Sequence, residues 1–104
     1  MDKHTKKILK ELKSIISKKF TIIDMKLFGS SARNEKRNYS DIDIFLCISG
    51  LTHEIEVELF AYAYELELKY DCLIDLIIFD DQMLKKRYKI TPIYQNILKE
   101  GINI

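Results

Sequence analysis

The sequence predicts an α/β (α+β) fold, a small mixed β-sheet flanked by helices, in a single domain spanning residues 1–104. Three observations carry that prediction. Helical and strand periodicities alternate along the chain, the signature of helices layered on a sheet. An apolar fraction of 47% is enough for one compact core at a length of 104 residues. Three glycines and one proline leave little material for a linker between domains.

The elements follow in order. Ile8, Leu9, Leu12, Ile15 and Ile16 recur at helical spacing with lysines between them, which predicts an amphipathic helix over residues 3–19. FTIIDMKLF, rich in β-branched and aromatic residues, predicts a strand ending at Gly29. SSAR reads as the first turn of a short helix, and NEKRNYS as a polar loop. DIDIFLCI alternates with period two. Asp41, Asp43, Phe45 and Cys47 point one way, while Ile42, Ile44, Leu46 and Ile48 point the other. Residues 52–70 predict a helix with Ile55, Leu59, Tyr62 and Leu66 as its buried stripe. CLIDLIIF is nearly continuous in apolar residues, a pattern typical of a strand buried on both faces. Thr91 can cap a last helix with Pro92 in its first turn, Ile93, Ile97 and Leu98 as its apolar side, and Gly101 as its stop.

A net charge of +1 gives no global electrostatic footprint for nucleic acid, so direct nucleic-acid binding is not expected. The charge is unevenly spread. Residues 1–20 carry seven lysines against Asp2 and Glu11, and residues 51–75 carry five glutamates and two aspartates against Lys69 alone. Solvated helix faces explain this first, and a bipolar surface suited to a partner protein second. Cys47 and Cys72 lack the spacing of a zinc site and read as reduced core-type residues of a cytoplasmic protein. The charged start MDKHTKKILKELK is not a signal peptide, and no apolar run approaches the ~20 residues of a membrane span.

The chemistry concentrates in LFGSSARNEKRNYSDIDIFL. Asp41 and Asp43 share a strand face about 7 Å apart, from a rise of ~3.3 Å per residue. Carboxylates that close repel unless a cation lies between them, and hard oxygen ligands of this kind suit Mg²⁺. Asp75 interrupts LIDLII, where a lone ionised carboxylate is costly to bury. If the two strands are neighbours, Asp75 completes a three-carboxylate cluster suited to two metals and an in-line displacement at phosphorus. Gly29 lets a backbone approach a phosphate, and the N–H groups of Ser30 and Ser31 at a helix start can donate to its oxygens. Taken singly, each piece has a bland alternative: a capped turn, a surface alternation, or a carboxylate met by an arginine or an amide.

GSSARNEKRNYSDID is Gly-Ser, ten residues, then Asp-x-Asp. It resembles the signature of the DNA polymerase β-like nucleotidyltransferase superfamily, and within it the chain looks like the minimal nucleotidyltransferases, the MNT proteins. The resemblance extends over nearly the whole chain, from the leading helix through SDIDIFL and LIDLIIF to ITPIYQNILKEGINI. It implies a polymerase β-like fold of mixed sheet plus helices. It also implies transfer of a nucleoside monophosphate from a triphosphate to an acceptor hydroxyl, with divalent metal.

Carried over, Gly29, Ser30, Ser31 and Arg33 form the nucleotide-binding turn. Asp41 and Asp43 bind Mg²⁺ (two ions), and Asp75 binds the metal nearer the acceptor and helps remove its proton. For Arg33, a salt bridge supporting the loop is as good a reading as a phosphate contact. The family often has Gly where this chain has Asn34, a residue that tolerates a left-handed backbone.

MNT proteins are commonly antitoxins paired with HEPN-type toxins, and the family precedent is transfer of AMP from ATP to a toxin tyrosine. The implied partner is therefore a HEPN-type toxin. A non-catalytic module that neutralises its partner by occlusion is the alternative. A small-molecule nucleotidyltransferase subunit is a third reading, weakened by the lack of a second domain to enclose the substrate. The chain itself has no Arg-x4–6-His motif, and His4 and His53 read as solvated helix residues. Whether the chain assembles with itself or with the toxin is left open by the sequence.

Overall fold

The lysine-laced amphipathic pattern at the start folds as helix α1 (Lys3–Ser17), with Ile8, Leu9, Leu12 and Ile16 buried along one side. The computed structural model describes residues 3–29, 41–85 and 90–104. Strand β1 (Ile22–Phe28) follows, then β2 (Asp41–Ile48), α2 (His53–Tyr70) and β3 (Leu73–Asp80). The chain continues with α3 (Asp81–Leu84), α4 (Pro92–Glu100) and the two-residue β4 (Ile102–Asn103). Local chemistry sets the helix ends. Thr52 caps α2 by accepting from the Ile55 N–H, and Thr91 caps α4, which has proline in its first turn. Asp71 closes α2 in the left-handed region at φ 51°, a conformation that a short polar side chain tolerates.

Among the described residues the strands form one sheet in the order β3-β2-β1-β4. β1 runs antiparallel to β2 and to β4, while β2 and β3 run parallel, so the sheet is mixed. The period-two pattern of β2 divides its side chains between two cores. Ile42, Ile44, Leu46 and Ile48 join Met25 and Leu27 of β1 under α1 and α2. Phe45 and Cys47 face the other way, onto Phe79, Tyr94 and Ile97. The rings of Phe45 and Phe79 meet edge-on at 5.4 Å, and Tyr94 stacks on Phe79 at 6.1 Å.

Two expectations are corrected. β3 is not buried on both faces along its whole length: Leu73 and Asp75, at its start, are exposed, and the strand is also the sheet edge. Its apolar run reflects a strand that packs under α2 on one face and under the Phe79 cluster on the other, at its far end. In α4 the buried positions are Tyr94 and Ile97, whereas Ile93 and Leu98 are exposed. The aromatic cluster on the sheet recruits Tyr94, which turns Ile93 and Leu98 outward. The short helix expected at SSAR lies outside the described residues.

Candidate active site

The site grows from one end of the sheet. β1 delivers Gly29 just beyond Phe28, and β2 starts its run beside it at Asp41. Because β1 and β2 are antiparallel, Phe28 stands directly across from Asp43. Because β2 and β3 are parallel and in register, Asp43 stands directly across from Asp75. Register partners project to the same face, and neighbouring strands lie about 4.8 Å apart. Asp43 and Asp75 are therefore register partners on one face of the sheet, carried by neighbouring strands. Asp41 pairs with Leu73 and opens the strand, two residues before Asp43.

Gly29 closes the arrangement from the third side. It adopts φ +74°, and a Cβ built there would sit 2.1 Å from Oδ2 of Asp43. The Asp43 carboxylate thus lies against the glycine backbone, in space that any other residue would fill. Asp43 is half-buried in this niche and Asp75 is open to solvent. The second core begins at Phe45, the next residue on this face of β2, and α4 contributes Tyr94 and Ile97 to it. Ser30, Ser31 and Arg33 of the expected phosphate cradle lie outside the described residues, as does the Asp41 side chain.

Two carboxylates in register on one face supply hard oxygen donors of the kind that suit Mg²⁺. Among the described residues no group of three or more His, Cys, Asp or Glu side chains forms a candidate metal centre. Asp43 and Asp75 are a register pair, and the third expected donor, Asp41, has its side chain outside the described residues. The open groove of about 650 Å³ beside Lys13, Phe20, Ile23 and Ile104 lies along the other edge of the sheet and includes neither aspartate. Phe28 was not evident as a site residue in the sequence. It is half-buried across from Asp43, and strand register alone, which composition does not disclose, puts it there.

A family model for the nucleotidyltransferase domain matches residues 6–103. The fold recurs in solved structures. A protein described as a minimal nucleotidyltransferase aligns with a TM-score of 0.64 at 20% identity, over 100% of this chain and 97% of its own. A mutant of the toxin–antitoxin MntA–HpeT aligns with a TM-score of 0.60 at 26% identity, over 95% of this chain and 69% of its own. A toxin–antitoxin with AMP-PNP aligns with a TM-score of 0.60 at 22% identity, over 93% of this chain and 69% of its own. None of the curated proteins matches.

Proposed function

The chain belongs to the nucleotidyltransferase domain family, and from that premise we propose that it is a Mg²⁺-dependent adenylyltransferase that moves AMP from ATP to a tyrosine of a HEPN-type toxin. It would then serve as the antitoxin of the pair. The observation that carries the reading is the register of Asp43 against Asp75 beside the Cβ-free backbone of Gly29. The toxin–antitoxin neighbours support a toxin as partner, and the one solved with AMP-PNP supports an adenine nucleotide.

The chain's own residues divide the work. Gly29 gives the triphosphate close access to the backbone, and the Ser30 and Ser31 N–H groups donate to its oxygens. Asp41, Asp43 and Asp75 would hold the cations. Mg²⁺ bound there would offset the charge that develops on the α-phosphate and on the departing pyrophosphate. The acceptor tyrosine oxygen attacks the α-phosphorus in line, and the bond from that phosphorus to the bridging oxygen of the β-phosphate breaks. The phenolic proton passes to Asp75, which faces solvent where an incoming protein can reach it. Arg33 braces the loop or meets the phosphates. Two free cysteines, and no described helix long and apolar enough to cross a membrane, fit a cytoplasmic setting.

Incubation with α-labelled ATP, Mg²⁺ and the candidate toxin tests the proposal. Label on a toxin tyrosine that disappears with Asp43→Ala, along with relief of toxicity, is the expected result. Toxin silenced equally well by Asp43→Ala, with no label transferred, would replace transfer by occlusion.

A further inference from the structure

Helix α2 is apolar on two sides. One side, with Leu59, Ala63 and Leu66, is buried on the sheet. The opposite side carries Val57, Phe60, Ala61, Tyr64 and Leu68, spaced as one stripe over about three turns, roughly 16 Å. Its large members stand open: Val57 is 54% exposed, Phe60 45%, Tyr64 59% and Leu68 67%. A helix that needed its second face only for solvent would carry polar residues there.

The borders of the stripe identify what it suits. Glu54, Glu58 and Glu65 run along one edge, and Glu56 and Glu67 along the other. Some of these are engaged within the chain. Glu58 accepts from Lys19 and Tyr62, and Glu67 accepts from the Ile74 N–H. Lys69, the basic residue of the last turn, is held by Glu11 at 2.6 Å. The Glu54, Glu56 and Glu65 carboxylates have no hydrogen-bond or ion-pair partner among the described residues, so the stripe is edged with negative charge on both sides. A second copy of this chain would set glutamate against glutamate in either orientation of the two helices, which is unfavourable.

We propose that the outer face of α2 docks an amphipathic helix of a partner protein, one whose apolar stripe is edged by lysine or arginine. This rests on the reading that the chain acts on a partner protein, and it locates the contact on the helix rather than at the aspartates. It assigns the acidic half of the uneven charge distribution a role in choosing that partner.

Two fluorescein-labelled helical peptides of about 20 residues serve as probes. They share one leucine–alanine stripe and differ in having lysine and arginine, or glutamate, along its edges. Anisotropy titrations against the full chain should show the basic-edged peptide binding at least about tenfold more tightly than the acidic-edged one. Tyr64→Glu should weaken it by about tenfold or more. The triple change Glu54→Gln, Glu56→Gln, Glu65→Gln should flatten its salt dependence. Circular dichroism on each variant establishes that the fold is retained. Equal binding of both peptides, binding of neither, or a dimer of the chain that Tyr64→Glu dissociates would overturn the proposal. Mg²⁺–ATP binding measured on the same variants separates this from the proposed reaction. Loss of nucleotide binding belongs to the aspartates, and loss of peptide binding belongs to α2.

Discussion

At Asp75 stability and chemistry pull apart. A carboxylate on an edge strand, in register with a second carboxylate, contributes nothing to the core. Asp75→Asn should therefore leave the unfolding free energy within about 0.5 kcal/mol of the parent, as exposed substitutions usually do. Nucleotide transfer should fall by about a hundredfold or more, the usual range for losing a positioned acid–base group. Denaturant titration and labelled-ATP transfer on the same preparation check both halves, and a variant that unfolds early but still transfers contradicts the assignment. Gly29 behaves in the opposite way. Gly29→Ala places a side chain at φ +74° and drives a Cβ to 2.1 Å from Asp43 Oδ2. The left-handed backbone costs about 1–2 kcal/mol by itself, and Asp43 must move. Stability and transfer should fall together, read as a lowered melting temperature and a slower labelled product. The niche was half legible in the sequence. Glycine before a Ser-Ser pair suggested a phosphate turn, but its contact with Asp43, fourteen residues away in sequence, comes from strand pairing, which no local pattern encodes.

Among the elements, α2 is tied along its exposed border to α1 and to the turn that follows α1, as well as through the core. Lys69 and the Tyr70 hydroxyl both donate to Glu11, and Lys19 and the Tyr62 hydroxyl both donate to Glu58. These bonds, from Lys69 first at Glu11 and from Lys19 first at Glu58, hold both carboxyls below their ordinary range. A depressed folded-state carboxyl stabilises the fold above its unfolded-state pKa, and that contribution is lost as pH falls through the folded-state value. The double variant Glu11→Gln, Glu58→Gln should therefore show a shallower loss of melting temperature between about pH 6 and pH 3 than the parent. An unchanged acid limb would mean that the ties carry no net stability, as many surface pairs do. These helices were readable because their apolar residues recur at 3.6-residue spacing, and β2 because it alternates without a break. β4 was not readable, since a two-residue strand has no periodicity and exists by pairing Asn103 with Lys26 and Ile102 with Leu27. The edge position of β3 escaped for a related reason. An apolar run records how many faces are covered, whereas whether a strand has one neighbour or two is decided by partners elsewhere in the chain.

The whole molecule has a reporter for the coupling of its two cores to the site. Cys47 is fully buried between β1 and β3 in the aromatic cluster, two residues along β2 from Phe45 and four from Asp43. Burial first, and then the negative charges of Asp81, Asp24 and Asp80, push its thiol up to about 11. At neutral pH it is neither accessible nor ionised, so a thiol reagent should reach it only when the sheet opens. Cys72, half-buried just beyond α2, should react first. A ligand that binds only the folded chain suppresses opening by RT ln(1 + [L]/Kd), about 2.7 kcal/mol at a hundred times Kd, or roughly a hundredfold in the open population. Saturating Mg²⁺–ATP should therefore slow Cys47 labelling by about that factor in the parent when reclosing outpaces the reagent. ATP without Mg²⁺ should slow it far less, and Asp43→Asn should abolish the protection while leaving the labelling order of the two cysteines unchanged. Protection that persists in Asp43→Asn would place the nucleotide elsewhere on the molecule, and no protection in the parent would mean that the paired strands do not bind it.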